Sequence, residues 1–212
     1  FLMYGIASFC CTCLLCLLDP FITLVFGNEM VLDFPVVCVC VLNFFLATMR
    51  IPVWNMLSAS GLFKRDKYIS IAGSTVNLVV SFVLGKEIGM LGILIGTTCT
   101  YAIQFVLKIL LFYRHFLHRP CKKLFLQLGL YLALTLALTG CAYGLCSWIA
   151  TGVAIADFVL KGFLAAGFSL GSNFLLFCRT DSFRALRQVF YDSRNRYKSN
   201  KSRATGEKGG MA

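Results

Sequence analysis

Residues 34–58 read FPVVCVCVLNFFLATMRIPVWNMLS, a run of 25 residues in which Arg50 is the single charged side chain. A helix needs about 20 apolar residues to cross a hydrocarbon core about 30 Å thick. This stretch is therefore long and apolar enough to span a membrane as one helix.

Similar apolar runs recur along the whole chain. The 212 residues are 58% hydrophobic and 14% charged, whereas a soluble domain carries about 25% charged residues. The sequence therefore predicts an all-α, polytopic membrane bundle of six transmembrane helices. The six predicted spans cover residues 1–18, 34–58, 69–84, 88–107, 124–149 and 153–178.

Two local signals predict how the spans begin and end. Asp19-Pro20 is expected to end the first span, because proline normally breaks a helix interior. The short segment Gly85-Lys86-Glu87 between the third and fourth spans predicts a tight hairpin.

Three G-x-x-x-G pairs predict faces where two helix backbones approach closely, although glycine is also simply common in membrane helices. These pairs are Gly92 and Gly96, Gly140 and Gly144, and Gly167 and Gly171.

The basic residues follow a topological pattern, so no nucleic-acid partner is expected. Most of the Lys and Arg residues before the last span lie in two connections, around Lys64 and around Arg119. Such residues are retained on the cytoplasmic side of a membrane. We therefore predict that both chain ends and these two connections face the cytoplasm, while Lys86 and Thr151 face outward.

The end of the chain, residues 179–212, is predicted to be a basic cytoplasmic tail. It carries nine of the twenty Lys and Arg residues. Its apolar residues fall near one helical face up to about Lys198, which predicts a helix lying on the inner leaflet. Beyond that point the composition is polar and Gly-rich and predicts disorder.

The eleven cysteines lie mostly inside apolar runs, where Cys packs as a small hydrophobic residue. The cluster Cys10, Cys11, Cys13 and Cys16 has a spacing that thiolates can use to bind a metal or an iron–sulfur cluster. Residues 1–18, however, contain no charge and no His, and apolar surroundings keep thiols protonated. We predict reduced, structural cysteines and no cofactor.

Arg50 is the most unusual residue of the second span. It lies eight residues from the predicted inner end, a depth of about 12 Å at 1.5 Å per residue. A central Arg costs about 2.5–3.5 kcal/mol on insertion scales and normally faces a bundle interior or a water-filled cavity. Asn43 and Trp54 share its helical face, and Pro52 is expected to kink the helix. We predict that Arg50, Asn43 and Trp54 line a cavity; the alternative is a side chain that snorkels to the headgroups.

The third and fourth spans each carry a stripe of polar side chains on one helical face. The stripes are Ser70, Ser74, Asn77 and Ser81, and Thr97, Tyr101, Gln104 and Lys108. They are predicted either to hydrogen-bond to each other, as polar residues do between membrane helices, or to line a water-filled pathway. Asn77, Tyr101 and Gln104 are the candidate substrate contacts in these spans.

Sequence motifs for enzymatic chemistry are absent. There is no paired-carboxylate site in a loop, no His-based metal motif and no phosphate-binding glycine loop. Asp157 and Lys161, at i and i+4 of the sixth span, are expected to neutralise each other. The sequence therefore predicts a protein that moves or conducts a substrate, and not an enzyme.

Several segments in the first 120 or so residues resemble the polysaccharide flippases, which move O-antigen and capsule repeat units and belong to a larger group with the multidrug and toxin extruders. The resembling segments are residues 61–68 (GLFKRDKY), Ile69-Ser70, Asn77-Leu78, residues 88–93 (IGMLGI), residues 95–97 (IGT) and Pro20-Phe21-Ile22 ahead of Gly27. The last two spans and the tail match this family only in general character.

The resemblance implies a longer transporter of twelve or fourteen helices in two lobes, of which this chain would be the C-terminal six and the N-terminal helices its partner. It implies a substrate, an oligosaccharide repeat unit on a polyprenyl pyrophosphate, flipped from the inner to the outer leaflet of a bacterial plasma membrane. A guanidinium such as that of Arg50 can bind pyrophosphate through two parallel hydrogen bonds. Alternating access between the lobes is then the expected mechanism.

Two other classes of protein would share these sequence features. One is a different secondary transporter, such as a six-helix half of a multidrug or sugar carrier, which would also have basic inner loops and polar stripes. The other is a structural membrane protein without a transport role.

Overall fold

The structure is a computed structural model that describes residues 2–117, 121–148 and 154–177. Within these ranges six helices are long and apolar enough to cross a membrane, and there is no strand. The helices are α1 (Leu2–Phe26), α2 (Phe34–Ala59), α3 (Phe63–Ile88), α4 (Met90–Phe112), α5 (Lys122–Ser147) and α6 (Ala154–Phe177). The predicted all-α, multi-pass membrane architecture with six spans is confirmed.

Residues 3–170 form one compact unit, and all packing described below lies within it. The described residues outside this unit are Leu2 and residues 171–177. The predicted basic tail at residues 179–212 lies outside the described residues. The same holds for Arg119 and Thr151, which stand in two of the connections.

α1 is longer than the first predicted span, because the helix does not end at Asp19-Pro20. It continues through Pro20 to Phe26. Proline removes one helical hydrogen bond, but the residues after it are almost all apolar, and a non-helical backbone in lipid leaves several more polar groups unsatisfied. Continuing the helix is therefore less costly than ending it, and the expected end at residue 18 is corrected.

α3 also exceeds its predicted span, residues 69–84. It begins at Phe63 and ends at Ile88, so the charged residues 64–67 form its first turns instead of a loop. Lys and Arg are good helix formers, and an acidic residue in a first turn is favoured by the helix dipole. The bounds of α2, α5 and α6 agree with the predicted spans to within two residues.

α3 and α4 form the predicted tight hairpin. A single residue, Gly89, separates the two helices and has a φ of 65°. This left-handed conformation costs glycine nothing, because it has no Cβ to clash with the carbonyl that follows. The chain can therefore reverse direction in one residue.

Gly92 and Gly96 are the face of α4 that touches α3. A Cβ on Gly92 would collide with the backbone carbonyl of Leu84, and a Cβ on Gly96 would lie 3.0 Å from the backbone nitrogen of Ser81. The two backbones therefore approach more closely than any larger residue would allow. This G-x-x-x-G packing face is confirmed.

The other glycine pairs do not mark such a face among the described residues. A Cβ on Gly140, Gly144 or Gly167 would meet no described atom within 4 Å. For these positions the frequency of glycine in membrane helices is the better account.

α1 packs against α2, α5 and α6. The hydroxyl oxygens of Thr12 and Thr139 lie 3.3 Å apart, between α1 and α5. Tyr4 stacks on Tyr131 of α5, with 4.5 Å between the ring centroids. These contacts hold α1 and α5 side by side along several turns.

The cysteines pack as small side chains. A buried cluster joins α1, α5 and α6 and consists of Cys16, Ala142, Cys146 and Ala165. Cys11 is fully buried, and its thiol donates to the carbonyl of Val41 in α2 at 3.6 Å. Among the described residues no three His, Cys, Asp or Glu side chains are grouped closely enough to hold a metal ion.

Candidate functional site

A polar cavity of about 430 Å³ lies between α2, α3 and α4. We call it the Arg50 cavity, and its lining residues are Ala47, Arg50, Ile51, Trp54, Ser70, Ser74, Gln104 and Lys108. Arg50 lies nine residues before the end of α2, and Ser70 is the eighth residue of α3. The cavity therefore lies in the half of the bundle next to the α2–α3 connection, about 10–14 Å along the helices from it at 1.5 Å per residue.

Arg50 reaches from α2 to two side chains of α4. Its Nη1 donates a hydrogen bond to Oε1 of Gln104 at 3.3 Å, and its guanidinium carbon lies 4.3 Å from the centroid of the Tyr101 ring. Among the described residues it forms no ion pair with a carboxylate. Its predicted position on a cavity is confirmed, and its side chain is directed to α4.

Gln104 connects all three helices of the cavity. Besides accepting from Arg50, its Nε2 donates to the carbonyl oxygen of Ser70 at 3.4 Å, and the residue is only 7% exposed. A Cβ on Gly73 would collide with this amide. Gly73 therefore provides the space in which Gln104 can reach both Arg50 and α3.

Lys108 lies one turn further along α4 and is held by α3. Its ammonium forms an ion pair with Oδ1 of Asp66 at 2.8 Å and donates to the hydroxyl of Ser70 at 3.1 Å. The two charged side chains are 9% and 11% exposed. Because Asp66 neutralises Lys108, the three charged groups Arg50, Lys108 and Asp66 sum to one positive charge, which belongs to Arg50.

The six predicted substrate contacts fall into two groups. Arg50, Trp54 and Gln104 line the cavity, and Tyr101 contacts Arg50 directly. Asn43 and Asn77 do not belong to the lining. The structure thus brings four of the six together.

Asn43 hydrogen-bonds to α4 at a different level of the bundle from the Arg50 cavity. Its Nδ2 donates to the carbonyl of Leu94 at 3.1 Å, and its Oδ1 accepts from the hydroxyl of Thr98 at 2.8 Å. Asn43 shares a helical face with Arg50 but lies two turns, about 10 Å, from it, where α4 covers that face. There it joins α2 to α4.

Asn77 likewise bonds within the hairpin region. Its Oδ1 accepts a hydrogen bond from the hydroxyl of Ser81 at 2.8 Å, and that hydroxyl also lies 3.3 Å from the carbonyl oxygen of Ile93 in α4. The predicted hydrogen bonding between the two spans is present, and four residues of the stripes, Ser70, Ser74, Gln104 and Lys108, line the Arg50 cavity, while a water-filled pathway stays a prediction. Near the hairpin turn the stripes join α3 to α4, and near the other end they line the Arg50 cavity.

A second polar cavity, of about 440 Å³, lies between α1, α5 and α6. Its charged lining residues are Asp19, Asp157 and Lys161. Two carboxylates and one ammonium sum to one negative charge, so this cavity does not favour an anion. The expected mutual neutralisation of Asp157 and Lys161 stays a prediction.

Sequence reasoning missed the ion pair of Lys108 and Asp66 as a component of the site. Lys108 belongs to the polar stripe of α4, but Asp66 stands in a run of basic residues that looked like a loop. The signal that would have found the pair is the length of α3: once the helix begins at Phe63, Asp66 precedes Ser70 by one turn on the same face.

Comparisons of the chain with protein-family models, with curated proteins and with solved structures each give no match. The resemblance to polysaccharide flippases gains no support from them.

Proposed function

We propose that this chain belongs to a membrane transporter that flips polyprenyl-pyrophosphate-linked oligosaccharide repeat units from the inner to the outer leaflet, for surface polysaccharide biosynthesis in a bacterial plasma membrane. The observation that carries the proposal is Arg50, a cation on a cavity inside the helix bundle whose charge no described carboxylate balances. The remaining helices of the transporter, which the family resemblance implies, would be its partner.

An unbalanced cation at this depth favours an anionic ligand. Burying a charge without a partner is costly, and the cost is recovered when an opposite charge arrives with good hydrogen-bond geometry. Gln104 accepts from Nη1 of Arg50, and no other hydrogen bond joins Arg50 to a described residue. The other N–H donors of the guanidinium therefore suit the bidentate binding of a phosphate group.

The rest of the cavity suits a headgroup that carries a sugar. A volume of about 430 Å³ falls in the range of ligand pockets, about 300–1,000 Å³. Trp54 borders it with a ring that is 56% exposed and offers a flat apolar surface, and Ser70 and Ser74 offer hydroxyls. A carrier of cationic drugs would gain nothing from Arg50, because like charges in a cavity repel each other.

The test is export of surface polysaccharide in a strain that lacks the native gene and carries full-length variants. We expect Arg50→Ala to reduce export about ten- to a hundredfold, because a hydrogen bond to a charged group contributes about 1.5–3 kcal/mol. Arg50→Lys should retain part of the export, because it keeps the charge and loses the bidentate geometry. Both variants should reach normal levels in the membrane.

Lys86→Ala is the matched control. Lys86 also lies over an aromatic ring, with its ammonium 4.3 Å from the centroid of Phe82, but at the opposite end of α3. Its loss should leave export unchanged. Full export by Arg50→Ala would contradict the proposal and would leave Arg50 as an anchor between α2 and α4.

A further inference from the structure

Lys108 is the second cation of the Arg50 cavity, and Asp66 is its neutralising partner. Lys108 belongs to the cavity lining, whereas Asp66 does not. A chain of hydrogen bonds joins the two cations: Arg50 donates to Gln104, Gln104 donates to the carbonyl oxygen of Ser70, and Lys108 donates to the Ser70 hydroxyl. The two cations therefore border one continuous polar surface.

We propose that Lys108 is a second ligand for the pyrophosphate and that Asp66 is the counter-ion that Lys108 leaves when the substrate binds. This inference rests on the proposed function, since it takes a pyrophosphate as the substrate. In the empty cavity Asp66 balances Lys108. In the occupied cavity the substrate lies between Arg50 and Lys108.

Charge matching is the first argument for this exchange. A pyrophosphate diester carries two negative charges, whereas the cavity with the ion pair formed offers one positive charge, that of Arg50. Release of Lys108 from Asp66 adds the second. The ammonium ends a flexible four-carbon stem and bonds as a point charge, so it can turn from one oxygen ligand to another.

The position of Asp66 is the second argument. Asp66 lies in the first turn of α3, where the unpaired backbone N–H groups and the helix dipole favour a negative charge. Lys64, Arg65 and Lys67 adjoin it in the sequence. The carboxylate therefore stays stabilised after Lys108 has turned away, which keeps the exchange from stranding a buried charge.

The experiment is calorimetric titration of the full-length protein in lipid nanodiscs with inorganic pyrophosphate, with farnesyl pyrophosphate and with dimethyl phosphate. The first two probes carry at least two charges, and the third carries one. Comparing the first two separates recognition of the anion from recognition of a lipid chain. The variants are Lys108→Gln, Asp66→Asn and the double variant.

We expect Lys108→Gln to weaken binding of both pyrophosphates about tenfold, the equivalent of one charged hydrogen bond, and to leave dimethyl phosphate unchanged. Asp66→Asn should tighten pyrophosphate binding about tenfold, because Lys108 no longer has to be withdrawn from a partner. In the double variant this gain should vanish, and the affinity should equal that of Lys108→Gln. A purely structural ion pair would not give a gain in pyrophosphate affinity on Asp66→Asn that depends on the presence of Lys108.

Asp66→Asn alone leaves a buried ammonium without a partner and can destabilise the protein. The double variant removes both charges, and thermal unfolding will identify which variants are folded. If Asp66→Asn is not folded, the test is the tenfold loss of pyrophosphate affinity in the double variant. Lys86→Gln and Glu87→Gln remove the same charges at the other end of α3 and should leave all affinities within about twofold.

Pyrophosphate affinity within about twofold of wild type in Lys108→Gln would overturn the inference. So would a gain from Asp66→Asn that persists without Lys108. If Arg50→Gln abolishes binding in either of these cases, the proposed function stands and only the role of Lys108 is lost. Absence of pyrophosphate binding by the wild-type protein would overturn both.

Discussion

The guanidinium carbon of Arg50 lies 4.3 Å from the centroid of the Tyr101 ring, across the interface of α2 and α4. A cation over an aromatic face is attracted by about 0.5–1 kcal/mol at exposed sites and by about 2 kcal/mol or more when desolvated. Together with the hydrogen bond to Gln104, this contact fixes the direction of the arginine from α4. The position of the Arg50 guanidinium, which is proposed to bind the anion, therefore depends on an aromatic residue of another helix.

Removing the ring should weaken anion binding while removing the hydroxyl should not. We expect Tyr101→Ala to reduce the affinity for pyrophosphate roughly two- to thirtyfold, the equivalent of the cation–π energy, and Tyr101→Phe to remain close to wild type. Titration of the two variants side by side makes the comparison. An equal loss in Tyr101→Phe would assign the effect to the hydroxyl instead of the ring.

The sequence predicted the six helices and three cavity residues because each depends on local pattern. Apolar length determines a membrane span, and the high cost of an intramembrane arginine places Arg50 on a cavity. The spacing of Trp54 placed it on the same helical face as Arg50, and the spacing of Gln104 placed it on the polar face of its own span. None of these inferences needed to know which helix packs against which.

The remaining features depend on tertiary packing, which one sequence does not specify. Asn43 lies on the same face of α2 as Arg50 but at a different level along the helix. It does not reach the Arg50 cavity, because α4 covers that part of α2. Asp66 belongs to the site because α3 begins earlier than its apolar run and because Lys108 on another helix reaches it. Helix periodicity predicts the face of the helix on which a residue lies, but it does not predict which other helix packs against that face.

Asn43 gives a prediction that separates a structural role from a ligand role. Asn43→Ala removes two hydrogen bonds to α4, and interhelical hydrogen bonds in membranes average about 0.6 kcal/mol with a maximum near 1.7. We therefore expect a loss of about 1–2 kcal/mol in the free energy of unfolding and no change in pyrophosphate affinity. Unfolding in mixed detergent micelles measures the first and calorimetry the second.

Thr97→Val is the control for Asn43, because the Thr97 hydroxyl bonds only to the Ile93 carbonyl of its own helix among the described residues. It should change stability by a few tenths of a kcal/mol at most. Weaker pyrophosphate binding by Asn43→Ala at unchanged stability would instead support the predicted contact of Asn43 with the substrate.

The predicted orientation can be tested on α3 alone, since Lys64 and Lys86 lie at opposite ends of a segment apolar enough to span the membrane. In a cysteine-free background, a cysteine at position 86 should react in intact cells with a membrane-impermeant thiol reagent. A cysteine at position 64 should react only after permeabilisation, because basic connections stay in the cytoplasm. Labelling at position 64 in intact cells would reverse the topology and move the Arg50 cavity to the outer half of the membrane.

The close approach of α3 and α4 predicts opposite effects for two Gly→Ala substitutions. On Gly92 a Cβ would collide with the Leu84 carbonyl, and backbone atoms, unlike a side chain, give way only if a helix shifts. Overpacking of this kind costs about 1–3 kcal/mol. On Gly140 a Cβ meets no described atom within 4 Å, so Ala should stabilise its helix by about 0.5–1 kcal/mol through reduced backbone entropy of the unfolded chain. In the same detergent, the thermal unfolding midpoint of Gly92→Ala should therefore lie below that of wild type, and the midpoint of Gly140→Ala should lie above it. Equal midpoints would mean that α3 and α4 do not touch at Gly92.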